Sequence, residues 1–288
     1  MISAKAYAKI NLYLAVVGVR PDGYHEIETV FQSVDVADDL LFELSPKLDV
    51  VCSVPELSGP RNVAFVAAER LREEEGVTAG AVVRINKRIP VAAGLAGGSA
   101  DAAATLLGLN RLWGLDLPVA RLAQIAARIG ADIPFCLTGG TSFGTGTGAE
   151  LVETGGLSCC WLVLAKPPGR LLASDVYSAF DSSPVQPARP GAALRAVLDV
   201  DDTGRICALI ENVLDPIVTR LVPEVEAVKE VARKAGACCA LVSGSGPTVF
   251  CIATSRDEAE GISKSVSELC DFVRVVRPVD RGVVLSEA

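Results

Sequence analysis

Histidine is almost missing from this sequence, with His25 the only one in 288 residues. A single histidine leaves no HExxH pair and no His-rich cluster, so the common catalytic zinc patterns are excluded. CxxC spacing is also absent. The nine cysteines are odd in number, and two pairs are adjacent in apolar runs, Cys159 with Cys160 and Cys238 with Cys239. That argues against a disulfide framework and reads them as small buried hydrophobes of a reducing compartment. Aromatics make up 5% of the chain against 50% for all hydrophobic residues, so the core has to be built from Ala, Val, Leu and Ile. Positive charge is scarce too. The formal net charge is -8, and no stripe of Lys and Arg interleaved with aromatics offsets it, so nucleic acid is not an expected partner. No run of about 18 strongly apolar residues occurs, which removes a membrane helix. The opening MISAKAYAKI carries Lys5 and Lys9 where a signal peptide needs its apolar region. A cytoplasmic chain with no membrane partner is expected.

Several nucleotide motifs are missing as well. GxxxxGK[ST] does not occur, nor do HRDxxxxN or DFG, and the GxGxxG fingerprint fails. GGSAD and SGSGP do not match the GxSxG elbow of serine hydrolases. What is present is VAAGLAGGSADAAATLL, Val91 to Leu107, where glycines and a serine crowd ahead of an alanine-rich helical run. A strand, then glycines, then a helix N-terminus turns unpaired N–H groups and the positive end of a helix dipole toward an anion. Gly94, Gly97 and Gly98 let backbone approach closely, and Ser99 is placed to cap the helix or bond a phosphate oxygen. A glycine-rich turn packed on a sheet is the competing reading.

The chain opens on strand-like segments, KINLYLAVVGV, HEIETVFQSVDV, DLLFEL and DVVCSV, separated by turns such as RPDG. A helix over Asn62 to Gly76 leads to the strand AVVRINKRI, whose cations Arg84, Lys87 and Arg88 stand just before the glycine-rich loop, either as a local reversal of charge that serves it or as a solvated strand edge. Helices follow from about Ser99 to Trp113 and from Pro118 to Gly130. The glycine-rich GTGTGAELVETGG marks a domain boundary, giving 1–156 and 157–288. Beyond it come a strand from Cys159, an irregular loop with Pro184, Pro187 and Pro190, and helices over Asp201 to Leu214 and Pro223 to Ala235. A strand pair around VSGSGPTVFCI and a helix over Asp257 to Cys270 close the chain. No internal repeat is visible.

Three segments in order along the chain, AYAKINLYLAVVGVRPDGYHEI, PVAAGLAGGSADAA and ALVSGSGPTVFCI, together resemble the motifs of the GHMP family of small-molecule kinases. AKINL, RPDGYHEI and GADIPFCLTGG point to the branch whose acceptor is linked to cytidine diphosphate. The resemblance implies a two-domain α+β fold, with an N-terminal domain like the second domain of ribosomal protein S5, a ferredoxin-like C-terminal domain, and the active site between them. It implies transfer of the γ-phosphoryl of ATP, with Mg²⁺, to the tertiary 2-hydroxyl of a cytidine-diphosphate-linked methylerythritol on the non-mevalonate route to isoprenoid precursors. The expected partner is that small molecule, and the chain a monomer or weak homodimer. Another GHMP alcohol kinase, or a silent nucleotide-binding module, is the alternative.

Carried over residue by residue, the resemblance makes Asp132 of GADIP the catalytic base and Lys9 of AKINL the cation that holds the hydroxyl and offsets phosphoryl charge. Without it, Asp132 is a turn former and Lys9 an edge lysine. The ATP loop comprises Pro90, Val91, Ala92, Ala93, Gly94, Leu95, Ala96, Gly97, Gly98, Ser99 and Ala100, with Asn62 and Lys87 as adenine or ribose neighbours. Asn11, on the strand face of Lys9, binds the erythritol or phosphate portion. Tyr24 and Tyr177 stack on a cytosine whose polar edge meets His25, and Gly244, Ser245 and Gly246 bring amides to substrate phosphates. No acidic residue of the motifs stands out as a metal ligand, so Mg²⁺ is expected to sit mainly on phosphates and water. Two departures stand out. Asn212 precedes Val213 where the family commonly has Asn-Asp, and Ala96 replaces a frequent glycine, which only a positive φ would forbid.

Overall fold

The structure is a computed structural model that describes residues 1–157, 160–198, 200 and 202–287. The first sheet is built from β1 (Ile2–Val19), β2 (His25–Ser45), β3 (Asp49–Cys52) and β4 (Gly80–Asn86), with α1 (Val63–Glu74) between the last two. Helices α2 (Gly97–Leu112), α3 (Val119–Ala127) and α4 (Ile133–Thr138) follow, then strands β5 (Thr141–Thr145) and β6 (Glu150–Glu153). The second half runs β7 (Trp161–Lys166), α5 (Ala173–Ser182), α6 (Gly191–Leu198), α7 (Thr203–Cys207), β8 (Glu211–Asn212), α8 (Asp215–Leu221) and α9 (Glu224–Lys234). It ends with β9 (Cys239–Val242), β10 (Val249–Ala253), α10 (Arg256–Val266), β11 (Phe272–Val276) and β12 (Val283–Glu287).

Among the described residues the first sheet has eight strands in the order β12-β1-β2-β4-β3, with β5 and β8 pairing β2 and β1 and β6 pairing β5. The second has four antiparallel strands in the order β11-β7-β10-β9. Numbered along the chain that is 4-1-3-2, the βαββαβ plan of the expected ferredoxin-like unit. The two-domain α+β class is therefore present. Two strands of the second half return to the first sheet. β12 lies antiparallel on β1, and β8 adds two residues parallel to it, with Val213 N–H donating to Leu14 O at 2.9 Å.

The alanine and glycine content sets how closely α2 lies on the first sheet. Ala100, Ala102, Ala103 and Ala104 are buried, and a Cβ at Gly108 would overlap the ring of Phe42 on β2. Small side chains thus replace aromatic bulk by close approach. β1 is buried from Ala8 to Val16, and its pairing with β2 shifts register at Tyr7/Ala8 and again at Asn11/Tyr13. Bulges re-aim side chains next to functional sites. Lys9 and Asn11 lie between these two.

Several expectations need correction. The two strands read at HEIETVFQSVDV and DLLFEL are one, because Asp38 of the polar VADDL step turns inward and accepts from Arg88 N–H at 2.5 Å and Ile89 N–H at 2.9 Å. The helix read over Asp201 to Leu214 is the short α7 followed by β8, since the edge of β1 captures Glu211 and Asn212. Asp201 itself, and Cys159 at the start of the expected strand, lie outside the described residues. The RINKRI cations are not all solvated: Arg84 and Arg88 are, but Lys87 is buried. Cys52, Cys136, Cys160 and Cys251 are buried as expected, whereas Cys238, in the turn before β9, is exposed. Among the described residues no helix is long and apolar enough to cross a membrane.

Candidate active site

A cleft of about 940 Å³ opens where the two halves meet, and the three glycine- and lysine-bearing segments converge on it. Lys9, on β1, is buried. Its Nζ donates to Asn11 Oδ1 at 2.7 Å and lies 3.2 Å from Asp132 Oδ2. The Asn11 amide is oriented in turn, because its Nδ2 donates to Thr29 Oγ1 at 2.8 Å and that hydroxyl donates to Tyr13 O at 2.7 Å. Beneath the ammonium, 5.4 Å away, is the ring of Phe31, itself stacked on Phe135 of α4. Asp132 sits at the N-cap position of α4, yet its side chain makes no capping bond. It faces Lys9 instead, with about a third of its surface open to the cleft.

The glycine-rich loop joins β4 to α2. Ala92, Gly94 and Ala96 all have positive φ, at 51°, 74° and 54°. Ala96 thus adopts the positive φ that disfavours any residue but glycine, a strain of about 1–2 kcal/mol. It is also the N-cap residue of α2, whose first turn has no side-chain cap, and Gly97, Gly98 and Ser99, whose amides have no intrahelical acceptor, line the cleft. Ser99 is therefore not the cap: it lies in the first turn. Leu95 and Ala100, read as loop residues, turn their side chains into the core. Gly94 has a packing role, since a Cβ there would collide with Ser243 O, and Ser243 Oγ donates to Gly94 O at 3.0 Å. The third glycine segment closes the same corner. A Cβ on Gly244 would lie 3.0 Å from Asn11 Oδ1 and 3.4 Å from Lys9 Nζ. Ser245 lines the cleft, whereas Gly246 is turned toward Val218 and Val242.

Lys87 and Asn62 line the cleft, but both side chains already have partners. The Lys87 ammonium is shared by Asp38 and by Asp101 Oδ2, the latter at 2.7 Å. Burial opposes its charge, yet the two carboxylates hold its pKa above the usual lysine value. Burial pushes the Asp101 carboxyl well up, and Lys87 offsets only part of that. Among the described residues Asp101 Oδ1 has no hydrogen-bond partner. Asn62 caps α1, accepting from Ala64 N–H at 2.8 Å and donating to Leu57 O at 2.7 Å.

At the far end of the cleft Tyr24 is exposed, and His25 opens β2. Tyr177 lies on the His25 ring, with centroids 4.7 Å apart and planes at 27°. Burial first, and then the charge of Asp132, push the Tyr177 hydroxyl up.

Residues 62–140 match the family model of the GHMP kinase N-terminal domain, and residues 193–271 match that of the GHMP kinase C-terminal domain. The chain belongs to the GHMP kinase family. It is 44% identical to the 4-diphosphocytidyl-2-C-methyl-D-erythritol kinase of Shouchella clausii over 96% of this chain and 93% of that one. It is 41% identical to the enzyme of the same name from Bacillus pumilus, covering 96% and 97%. A crystal structure of 4-(cytidine 5'-diphospho)-2C-methyl-D-erythritol kinase superposes with a TM-score of 0.79 at 31% identity, covering 95% of this chain and 98% of that one. Homoserine kinase from Cytophaga hutchinsonii shares the fold with the same TM-score at 21% identity, covering 99% and 97%. A GHMP kinase takes its phosphoryl group from ATP and acts on a small molecule.

Other residues that support the cleft carry no motif in the sequence. Asn212, noted only for its neighbour, is buried and donates to Val242 O at 2.9 Å and Gly244 O at 2.8 Å, so it holds the third glycine segment in place. Asp215 accepts from Val242 N–H at 2.9 Å and from Lys229 at 2.6 Å. Asp38, Asp101, Thr29 and Phe31 support the motif residues from behind. Their only sequence signal was polarity, or an aromatic, inside an otherwise apolar strand or helix.

Proposed function

We propose that this chain transfers the γ-phosphoryl of ATP to the 2-hydroxyl of 4-diphosphocytidyl-2-C-methyl-D-erythritol, a step on the non-mevalonate route to isoprenoid precursors. The observation that carries the reading is the Lys9–Asp132 pair, 3.2 Å apart, at the corner where both glycine segments meet. A tertiary alcohol is a poor nucleophile, and Asp132 accepts its proton as the oxygen attacks phosphorus. Lys9 holds that oxygen and offsets charge on the transferred group. The amides of Gly97 to Ser99 and the α2 dipole receive the ATP phosphates, while Asn11 and the Gly244–Ser245 backbone face the acceptor. Tyr24, His25 and Tyr177 take the cytosine end.

On this reading ATP brings Mg²⁺ with it. Among the described residues no three His, Cys, Asp or Glu side chains are grouped to hold a metal, and Asp132 and Asp101 each face a lysine. The donor set does not form a protein cage, and the roles of Lys9 and Asp132 do not depend on the ion. The chain divides functionally into 1–156, with the ATP loop and the dyad, and 157–288, which brings Tyr177 and the third glycine segment.

ADP release in a coupled assay, run with the cytidine-linked acceptor, mevalonate, homoserine and galactose, tests the reading. Turnover only with the cytidine-linked acceptor is expected. Preference for any other alcohol would move the chain to a different GHMP activity, and silence with all four would make it a nucleotide-binding module.

A further inference from the structure

His25, which lines the cleft, is in contact with Asp181 of α5. Asp181 Oδ1 lies 2.7 Å from His25 Nε2, although the two residues come from opposite halves of the chain. Asp181 is one helical turn beyond Tyr177 on α5, so the two side chains emerge on the same face. That face holds one imidazole in three ways: Tyr177 stacks on it, Asp181 bonds its Nε2, and Phe180 meets it edge-on at 6.4 Å. The ring is fixed in position and in rotation. Its side chain is only 16% exposed.

A neutral imidazole has one N–H and one bare nitrogen, while an ionised carboxylate only accepts. With an ionised Asp181 facing Nε2, the neutral ring carries its proton on Nε2, and Nδ1 is left as a lone pair. Cytosine carries an amino group, a donor, where uracil carries a carbonyl, an acceptor. A lone pair at Nδ1 accepts from the first and confronts the second with no proton between them. A site built to bond one partner rejects an analogue that leaves its polar atom unpaired.

We propose that Asp181 is a positioning residue that holds His25 in its Nε2–H tautomer and thereby makes the site select cytosine over uracil. This rests on the cytidine reading of the cleft, and it adds the group that sets which base is accepted. Asp181 touches no substrate in this scheme and acts through His25.

Because His25 is the only histidine, the ¹⁵N spectrum of histidine-labelled full-length protein reports this one ring. The expected spectrum at neutral pH has the proton on Nε2 and an unprotonated Nδ1. Asp181→Ala should give a mixture of tautomers, and Asp181→Glu should restore the wild-type pattern. The ratio of kcat/KM for the cytidine-linked acceptor over its uridine counterpart should fall on the order of 10-fold in Asp181→Ala, through KM, with ATP affinity unchanged. Wild-type protein with the proton on Nδ1, or on both nitrogens, overturns the proposal. So does an unchanged base preference in Asp181→Ala. Failure of the wild type to phosphorylate the cytidine-linked acceptor would instead refute the functional reading, and the tautomer spectra would still decide whether Asp181 controls His25.

Discussion

At the scale of single residues, the charged side chains divide into a pair that faces the cleft and a cluster beneath the loop. Lys9 and Asp132 face the cleft. Lys87, Asp38 and Asp101 form a second cluster beneath the loop, two carboxylates to one ammonium, almost wholly buried. The surplus negative charge there is buried, so keeping Asp101 protonated relieves the cluster. The folded carboxyl titrates above its ordinary 3.8, at about 8. The folded state therefore retains a proton that the unfolded chain has already lost, and the stability this group gives is full below 3.8 and drains away as pH rises through about 8. Asp101→Asn, neutral at every pH, should flatten that decline. Thermal melts of the two proteins across the window provide the comparison, and parallel curves would show that Asp101 is ionised in the folded protein.

At the scale of elements, the loop and α2 bring together two requirements that look alike in sequence. Gly94 is needed because backbone from the third glycine segment crosses it. Gly98 meets nothing closer than Val63 Cγ2 at 4.0 Å, so its lack of a side chain serves only whatever approaches from the cleft. A Cβ on Gly97 would stand 2.9 Å from Ile89 Cγ2 and 3.1 Å from Lys87 Nζ, which makes a Gly97→Val variant disturb packing as well as phosphate access. Gly98→Ala is the cleaner probe. It should weaken ATP binding by roughly 10-fold or more while the unfolding midpoint moves little, because the blocked volume lies outside the protein core. Calorimetry with unchanged ATP affinity would favour a loop that is only a packing turn. The contrast also explains what the sequence could reveal. Lys9, Asn11, Asp132 and the loop were readable because their motifs are local and their residue types are those the chemistry needs. Asp38 and Asp181 were not, since their partners Lys87 and His25 lie far away in sequence. β8 and β12 are two and five residues long, too short for any period, and exist because the edge of β1 captures them.

At the scale of the whole molecule, the cleft depends on how the second half is tied to the first. Asn212 is the joint: it extends the β1 sheet through β8 and bonds the carbonyls of Val242 and Gly244 behind the third glycine segment. Asn212→Ala leaves those two buried carbonyls and the Leu214 N–H without their partner, at about 1–3 kcal/mol. Chemical denaturation should show a clearly lowered midpoint, together with a raised KM for the acceptor as Gly244 loosens beside Lys9. An unaltered midpoint would mean that the two halves are held together elsewhere. With the halves in register, Lys9 and Asp132 meet in the cleft, and the proposed reaction stands or falls with that pair. The decisive measurement is the single-turnover rate of phosphoryl transfer in Asp132→Asn, at saturating ATP and cytidine-linked acceptor, with ATP affinity measured alongside by calorimetry. The geometry predicts a rate lower by at least roughly 100-fold with ATP affinity essentially retained. A variant that keeps more than about a third of the wild-type rate would contradict Asp132 as the base.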